Sequence, residues 1–338
     1  SLSTGEMRTT FLVKNKNGET MTDTPRHILA KNHVRYVGDP ILAVIAESLS
    51  SAEEIAERIV IDFDELDCVT NMSKALENNA PIVREELSNN LCFDWELGNR
   101  EKTISILNSS AHKIDISLVN NRLIPNPMEC RSTVGVYDDV TDEYTLYCSS
   151  QGVHSLKKKL SKIFNKSEEK INVITKDVGG GFGMKIFNYP EYVISLIASN
   201  LVKRPVKWVA SRTESFLSDI HGRDHLSKAT IGLDSKFKFT ALMVETKANM
   251  GAYMSDFSVF IPTYAGTGML TGCYDIKHAY ANVKGVYTNT GPTDAYRGAG
   301  RPEAAYLIER LVDKSARVLG ISPVEIREIN LINKSQMP

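Results

Sequence analysis

Two glycine-rich segments, more than a hundred residues apart, constrain this chain most strongly. The first, Val178–Lys185, follows a strand-like run, and the second, Asp294–Glu303, precedes a helix-like pattern. Because glycine lacks a Cβ, the backbone can approach a ligand closely there, and N–H groups at strand ends and helix starts can bind anions or oxo groups. The loops carry different side chains, Phe182 and Arg297, so we predict that they form two walls of one cofactor pocket.

The spacing of the first loop excludes the two common nucleotide-binding motifs. A phosphate-binding P-loop requires Gly-x4-Gly-Lys followed by Ser or Thr, whereas Lys185 follows Met184 and precedes Ile186. The dinucleotide fingerprint requires glycines at i, i+2 and i+5, and its last position falls on Met184 or Ile186. A tight turn with close strand–helix packing remains the alternative for the first loop alone.

Composition restricts the classes of protein that this chain can represent. A length of 338 residues suggests two domains. The formal net charge of −1 gives no support to nucleic-acid or membrane binding. The apolar stretches are too short to span a bilayer and no signal-peptide pattern opens the chain, so we expect a cytoplasmic protein. Its five scattered cysteines include no Cys-x-x-Cys pair and are expected to be free thiols.

The N-terminal region is predicted to contain a βαβ unit. Val34–Ala46 and Val60–Phe63 have strand patterns, and Ser50 with Glu53 forms a capping box for the helix between them. We therefore expect a small, incomplete α/β domain over residues 1–80. An extended connector is expected over residues 81–100.

Residues 101–338 show alternating strand and helix patterns that are typical of one larger domain. Strands are predicted over 144–147, 171–175 and 206–209, with a hairpin formed by 226–233 and 237–247. Helices are predicted after Gln151, from Pro190, after Ser211, from Ala304 to Gly320 and after Ser322. The predicted fold class is α+β, with a small βαβ-containing domain followed by part of a larger mixed α/β domain.

From about residue 25 to its C-terminus the chain resembles the molybdenum-binding large subunit of the xanthine dehydrogenase, aldehyde oxidase and aerobic carbon monoxide dehydrogenase family. The resemblance depends on the order and spacing of Val34–Pro40, Pro127–Glu129, Ser150–His154, Val178–Lys185, Val206–Trp208, Gly222–Asp224 and Ala295–Arg301. It implies that the small domain is hammerhead-like and that residues 101–338 are the first part of a molybdopterin-binding domain. The last of these motifs is most similar to the carbon-monoxide-dehydrogenase-like large chains.

The resemblance implies an oxidoreductase that hydroxylates an aldehyde or N-heterocyclic carbon with water-derived oxygen. The implied cofactor is molybdenum bound to molybdopterin cytosine dinucleotide, and because the pterin dithiolene holds the metal, no protein metal ligand is expected. The implied partners are an FAD-binding medium subunit, a 2Fe-2S small subunit and the remainder of the large subunit.

The family's site residues can be placed on this sequence. The resemblance assigns Gln151 a catalytic and cofactor-binding place beside the metal, where an amide offers both a donor and an acceptor. It assigns Gly181, Phe182 and Gly183 to the loop that meets the cofactor. A helix-capping or surface role for Gln151 and core packing for Phe182 are the alternatives.

The second loop contributes two further candidates. The resemblance implies that Arg297 contacts cofactor and substrate, where a permanent positive charge could stabilise developing negative charge. Gly298 would also line the cofactor. An ion pair with Asp294 or Glu303 is the alternative role for Arg297.

The sequence departs from the family pattern in three places. Gly298 replaces the copper-binding cysteine of the carbon-monoxide-oxidising branch, and Ile186 replaces the glutamate of purine-oxidising members. No Gly-x-Gly-Glu segment, which holds the family's general-base glutamate, occurs in these residues. We therefore expect an inactive fragment or one half of a split subunit when the chain is alone. A non-catalytic assembly half, or a carbon monoxide dehydrogenase large chain, is the alternative reading.

Overall fold

The computed structural model describes residues 5–337. Its two larger sheets are a five-stranded and a four-stranded mixed sheet. The strands are β1 Leu91–Gly98, β2 His112–Asn120, β3 Ser132–Asp138, β4 Glu143–Cys148, β5 Ile171–Ile174, β6 Val206–Val209, β7 His221–Gly222, β8 His225–Leu233, β9 Phe239–Gly251, β10 Ala279–Tyr287 and β11 Thr293–Asp294. The helices are α1 Leu49–Glu57, α2 Arg100–Ser109, α3 Val153–Phe164, α4 Pro190–Val202, α5 Arg212–Ser218, α6 Arg301–Leu319 and α7 Pro323–Asn330, with a π-helix over Ile261–Ala265.

The larger sheet has the order β1-β10-β9-β8-β2 and is antiparallel except for the parallel pair β10–β9. Helix α6 lies against it because the apolar side chains Leu307, Leu311 and Val312 recur at helical spacing and are buried together with Ile231 of β8. This packing fixes the start of α6, and therefore the second glycine loop, relative to the sheet.

The smaller sheet has the order β5-β4-β3-β6 and is covered by α3 and α4. Gly135 of β3 lets α4 approach closely, since a Cβ there would lie 2.5 Å from the backbone of Ser195. Leu146, Leu160 and Leu196 are fully buried between the sheet and these helices. The ends of β4 and β5 lead directly into Gln151 and the first glycine loop.

The α+β class is confirmed, as are the hairpin of β8 and β9, the capping box of Ser211 and Glu214, and the end of α6 at Gly320. Part of the expected connector, β1, is instead a strand paired with β10. No helix within the described range is long and apolar enough to cross a membrane.

The strands predicted over 34–46 and 60–63 are not formed. Both segments pair with no strand of residues 5–337, and side chains such as Ile45 and Val60 are exposed. A strand is stabilised by hydrogen bonds to a neighbouring strand. The sequence patterns of these two segments do not show whether such a neighbour is present. The predicted cap is also displaced, because the N-cap of α1 is Ser48, whose hydroxyl accepts from the N–H of Ser51.

Candidate functional site

The two glycine loops lie side by side. The backbone N–H of Arg297 donates to the carbonyl of Phe182 at 2.8 Å. Gly183 has a φ of +108°, and a Cβ at this position would lie 2.5 Å from the carbonyl oxygen of Ala295. Glycine is therefore required at residue 183 for the close approach of the loops. The predicted meeting of these segments is confirmed, whereas the roles of their residues stay predictions.

Gln151, which lies between β4 and α3, is hydrogen-bonded to the first loop. Its side-chain Oε1 accepts from the N–H of Gly183 at 3.0 Å and of Lys185 at 3.3 Å. A Cβ on Gly181 would overlap this amide oxygen, so glycine is needed there too. The N-cap of α3 is Gly152, so the helix-capping alternative for Gln151 is wrong. The amide Nε2 makes no hydrogen bond to residues 5–337 and is available as a donor.

Phe182 occupies an unusual position for a phenylalanine. Its φ is +53°, in the left-handed region that is unfavourable for a residue with a Cβ. Its side chain is 42% exposed, so the core-packing alternative is wrong. The N–H groups of Gly180, Gly181 and Phe182 form no hydrogen bond within the described part of the chain. The loop therefore presents backbone donors and an aromatic ring together.

Arg297 forms no ion pair with Asp294 or Glu303, so the alternative role proposed for it from the sequence is wrong. Asp294 accepts instead from the N–H groups of Phe257 and Ala295, and Glu303 pairs with Arg223. The Arg297 side chain is exposed, and its guanidinium contacts no carboxylate among residues 5–337. Its charge is thus available to a ligand.

Sequence reasoning did not identify the ion pair behind the first loop, between a buried lysine and a partly exposed glutamate. Lys185 is fully buried and its Nζ lies 2.7 Å from Glu129 Oε2, which also accepts from the N–H of Gly179 at 2.8 Å. Burial would raise the pKa of Glu129, but the Lys185 and Gly179 hydrogen bonds hold that pKa below its ordinary value. Both residues belong to motifs noted above, but they are 56 residues apart in the sequence, so their pairing was not predicted.

Asp294 is the second feature that the sequence did not predict. It is the buried first residue of the second loop, and each of its carboxylate oxygens accepts one backbone N–H. Burial, together with the nearby carboxylate of Asp256, raises the pKa of Asp294 to about 7. The second loop is therefore anchored by a carboxyl group that titrates near neutrality.

A cleft of about 400 Å³ lies beside the first loop, on the face of the smaller sheet. Its lining includes Glu129, Ser149, Lys176 and Lys207, but not Gln151, Phe182 or Arg297. The prediction that the two loops form two walls of one cofactor pocket remains a prediction. Within residues 5–337, no group of three or more His, Cys, Asp or Glu side chains could hold a metal ion.

Known proteins are similar to this chain in sequence and in fold. Residues 83–331 match the family model of the molybdopterin cofactor-binding domain, and residues 9–67 match that of the a/b hammerhead domain of aldehyde oxidase and xanthine dehydrogenase. The carbon monoxide dehydrogenase large chain of Hydrogenophaga pseudoflava is 32% identical in an alignment of 328 residues that covers 92% of this chain and 40% of that protein.

Two further relatives support the match. The nicotine 6-hydroxylase large subunit of Paenarthrobacter nicotinovorans is 30% identical over 91% of this chain and 38% of its own length. Quinoline 2-oxidoreductase from Pseudomonas putida 86 superposes with a TM-score of 0.92 at 27% identity, over 99% of this chain and 42% of that one. The chain thus spans about 40% of the length of these three relatives.

Proposed function

This chain belongs to the molybdopterin-dependent xanthine dehydrogenase and aldehyde oxidase family, and we propose that it is the cofactor-contacting part of a molybdenum hydroxylase large subunit. The complete enzyme would hydroxylate an aldehyde or N-heterocyclic carbon with oxygen derived from water. The observation that carries this proposal is the junction of the two glycine loops, where Arg297 hydrogen-bonds to Phe182 and keeps its guanidinium unpaired among the described residues.

The residues at this junction fit an anionic, oxo-bearing cofactor. The N–H groups of residues 180–182, the Gln151 Nε2 and the Arg297 guanidinium are all hydrogen-bond donors without partners in residues 5–337. Helix α6 begins directly after Gly300, and the N-terminus of a long helix favours negative charge. Backbone and amide donors of this kind suit phosphate, dithiolene and oxo groups.

When bound, the cofactor supplies the molybdenum centre that carries out the oxygen and electron transfer. The protein's contribution is orientation and charge. Because the two loop N–H groups hold the Oε1 of Gln151, its Nε2 is kept in a fixed direction as a donor. The exposed Phe182 ring would exclude water from one side of a bound substrate, and Arg297 would stabilise negative charge that develops on it.

We propose that carbon monoxide is not the main substrate, although one relative is a carbon monoxide dehydrogenase large chain. Gly298 has a φ of +93°, and a Cβ there would overlap the ring of Pro302. A thiolate at this position would thus require displacement of the first turn of α6. Copper(I) prefers thiolate ligands, so a copper site beside molybdenum is not supported.

Turnover of the purified holoenzyme on carbon monoxide, compared with aldehydes and N-heterocycles, tests this substrate assignment. We expect turnover on an organic substrate and no copper in metal analysis. Efficient carbon monoxide oxidation with copper equimolar to molybdenum would contradict it.

The finer assignments are part of the same proposal. The cofactor would be the cytosine dinucleotide form, and the enzyme would be a cytoplasmic complex with an FAD-binding medium subunit and a 2Fe-2S small subunit. The relatives are themselves named as large chains or large subunits, which supports an assembly of several chains. No nucleic-acid or membrane partner is proposed.

The central experiment is purification of the native complex through an affinity tag on this chain. We expect near-stoichiometric molybdenum and pterin, and release of CMP on acid hydrolysis. Arg297→Met should keep the molybdenum but lower kcat/KM by about 10²-fold to 10³-fold. The control Arg317→Met, at the opposite end of α6, should have no effect. A complex without molybdenum or pterin would refute the proposal and favour a non-catalytic assembly role.

A further inference from the structure

Arg223 is held in an unusual backbone conformation between β7 and β8. Its φ is +66°, and that of the next residue, Asp224, is +69°. Two consecutive left-handed residues with a Cβ are unfavourable and persist only where surrounding contacts impose them. Asp224 is fixed by Arg122 Nε at 2.8 Å and by Asn249 Nδ2 at 3.0 Å. The segment is therefore built to present the Arg223 side chain in one direction.

The Arg223 guanidinium makes three contacts, all with the second glycine-rich segment: two with residues before α6 and one with the first turn of α6. Its Nη2 donates to the carbonyl of Arg297 at 3.0 Å, and its central carbon lies 4.9 Å from the centre of the Tyr296 ring. Its Nη1 lies 2.9 Å from Glu303 Oε1, in the first turn of α6. Arg223 and Glu303 are both more than 90% buried. A Cβ on Gly222 would overlap Tyr296, so the preceding residue also packs closely on the loop.

We infer that Arg223 is a positioning residue for Arg297, an inference that rests on the proposed function. The peptide groups of Arg297 have two anchors: its N–H is bonded to Phe182 in the first loop, and its carbonyl is bonded to Arg223. Both anchors determine the direction in which the Arg297 side chain leaves the backbone. Arg223 does not touch the ligand itself, because it is buried and engaged by Glu303.

The chemistry of arginine explains why this position carries a guanidinium. The planar guanidinium can form an ion pair with Glu303 through one nitrogen and donate a hydrogen bond to the Arg297 carbonyl through another, while its face lies over Tyr296. A lysine would retain the charge for Glu303 but would lack the fixed second arm and the flat surface. Arg223→Lys therefore separates loop positioning from simple charge neutralisation of Glu303.

The test uses the native complex with Arg223→Lys and, as a second variant, Glu303→Gln. The control is Arg84→Lys, which alters a buried arginine that also contacts a carbonyl (Pro25), a carboxylate (Glu86) and a tyrosine ring (Tyr253), but not the second loop. The readouts are molybdenum content, the thermal midpoint, hydrogen exchange of residues 295–301, and kcat and KM for the best organic substrate.

We expect Arg223→Lys to retain molybdenum and to increase hydrogen exchange of residues 295–301 at least several-fold. It should lower kcat by about 10-fold to 100-fold, as expected for a displaced catalytic group. Glu303→Gln should change both quantities in the same direction but less, and Arg84→Lys should change neither.

Two results would overturn the inference. One is unchanged exchange of residues 295–301 in Arg223→Lys, and the other is an equal effect of Arg84→Lys, which would indicate a general structural role. Full activity of Arg297→Met would instead refute the proposed role of Arg297. Hydrogen exchange would still decide whether Arg223 fixes the loop, so the two failures are distinguishable.

Discussion

Replacement of Arg131 by methionine tests the buried charge cluster that connects the smaller sheet to the segment before β7. The Arg131 guanidinium is fully buried, with Nε 2.5 Å from Asp219 Oδ1 and its terminal nitrogens 2.8 and 3.2 Å from the two Glu191 oxygens. It also donates to Ser218 and lies 3.7 Å from the centre of the Tyr189 ring. Methionine keeps much of the volume but removes every one of these hydrogen bonds.

The expected loss follows from the two carboxylates that would remain. The side chain of Asp219 is 1% exposed and that of Glu191 is 12% exposed, so neither could be solvated after the arginine is removed. Removal of one partner from a buried ion pair costs about 3–5 kcal/mol. Since whole domains are stable by about 5–15 kcal/mol, Arg131→Met should remove a large fraction of the free energy of unfolding.

The free energy of unfolding of the variant should change with pH in a direction that identifies the cause of its destabilisation. Burial raises the pKa of Asp219, whereas Arg131 outweighs burial at Glu191 and holds its pKa below the ordinary value of 4.5. In the wild type, the Glu191 contribution is present above pH 4.5 and is lost only at lower pH. Without Arg131 both carboxyl groups would have raised pKa values, so the variant should regain stability as the pH falls from 7 towards 5.

Urea unfolding monitored by tryptophan fluorescence measures this effect, because the Trp208 ring lies 5.2 Å from the Arg131 guanidinium carbon. Arg58→Met is the matched control, since Arg58 is 75% exposed and forms a surface ion pair with Glu54 of α1. The control should change stability by less than about 0.5 kcal/mol. A loss below about 1 kcal/mol in Arg131→Met at pH 7, or a loss of equal size at pH 5 and pH 8, would refute the reasoning.

Two further predictions concern the glycine loops. Gly183→Ala should destabilise the chain by about 1–3 kcal/mol more than Gly18→Ala, because both positions have positive φ but only residue 183 faces a backbone atom within 4 Å. Equal urea midpoints for the two variants would contradict this expectation. The pKa of Asp294 is raised from 3.8 to about 7, so the folded state binds the extra proton and stability should fall as the pH rises from 4 to 7. Asp294→Asn should reduce that slope in urea titrations, and an unchanged slope would show that Asp294 does not titrate in this range.

The elements that were predicted correctly depend on residues close together in the sequence. The turn at Asp234–Lys236, the reciprocal capping of Ser211 and Glu214, and the glycine that ends α6 each involve only a few neighbouring positions. Local backbone preferences determine such features, and those preferences are visible in the sequence. The prediction of the N-terminal strands was wrong because strand formation depends on residues distant in the sequence. An apolar sequence pattern does not supply the neighbouring strand that a strand must pair with.

The sequence by itself determined that two glycine loops exist and which donors they carry. It also indicated the family and the departure at Gly298. Only the tertiary structure decided that Arg297 is free of Asp294 and Glu303, and that Arg223 holds its carbonyl. A side chain's partner depends on which groups the packed sheets and helices bring within about 3 Å, and burial sets the cost of leaving it unpaired. Residues 223 and 297 are distant along the chain and become neighbours only when β7 pairs with β11 and α6 packs on the larger sheet.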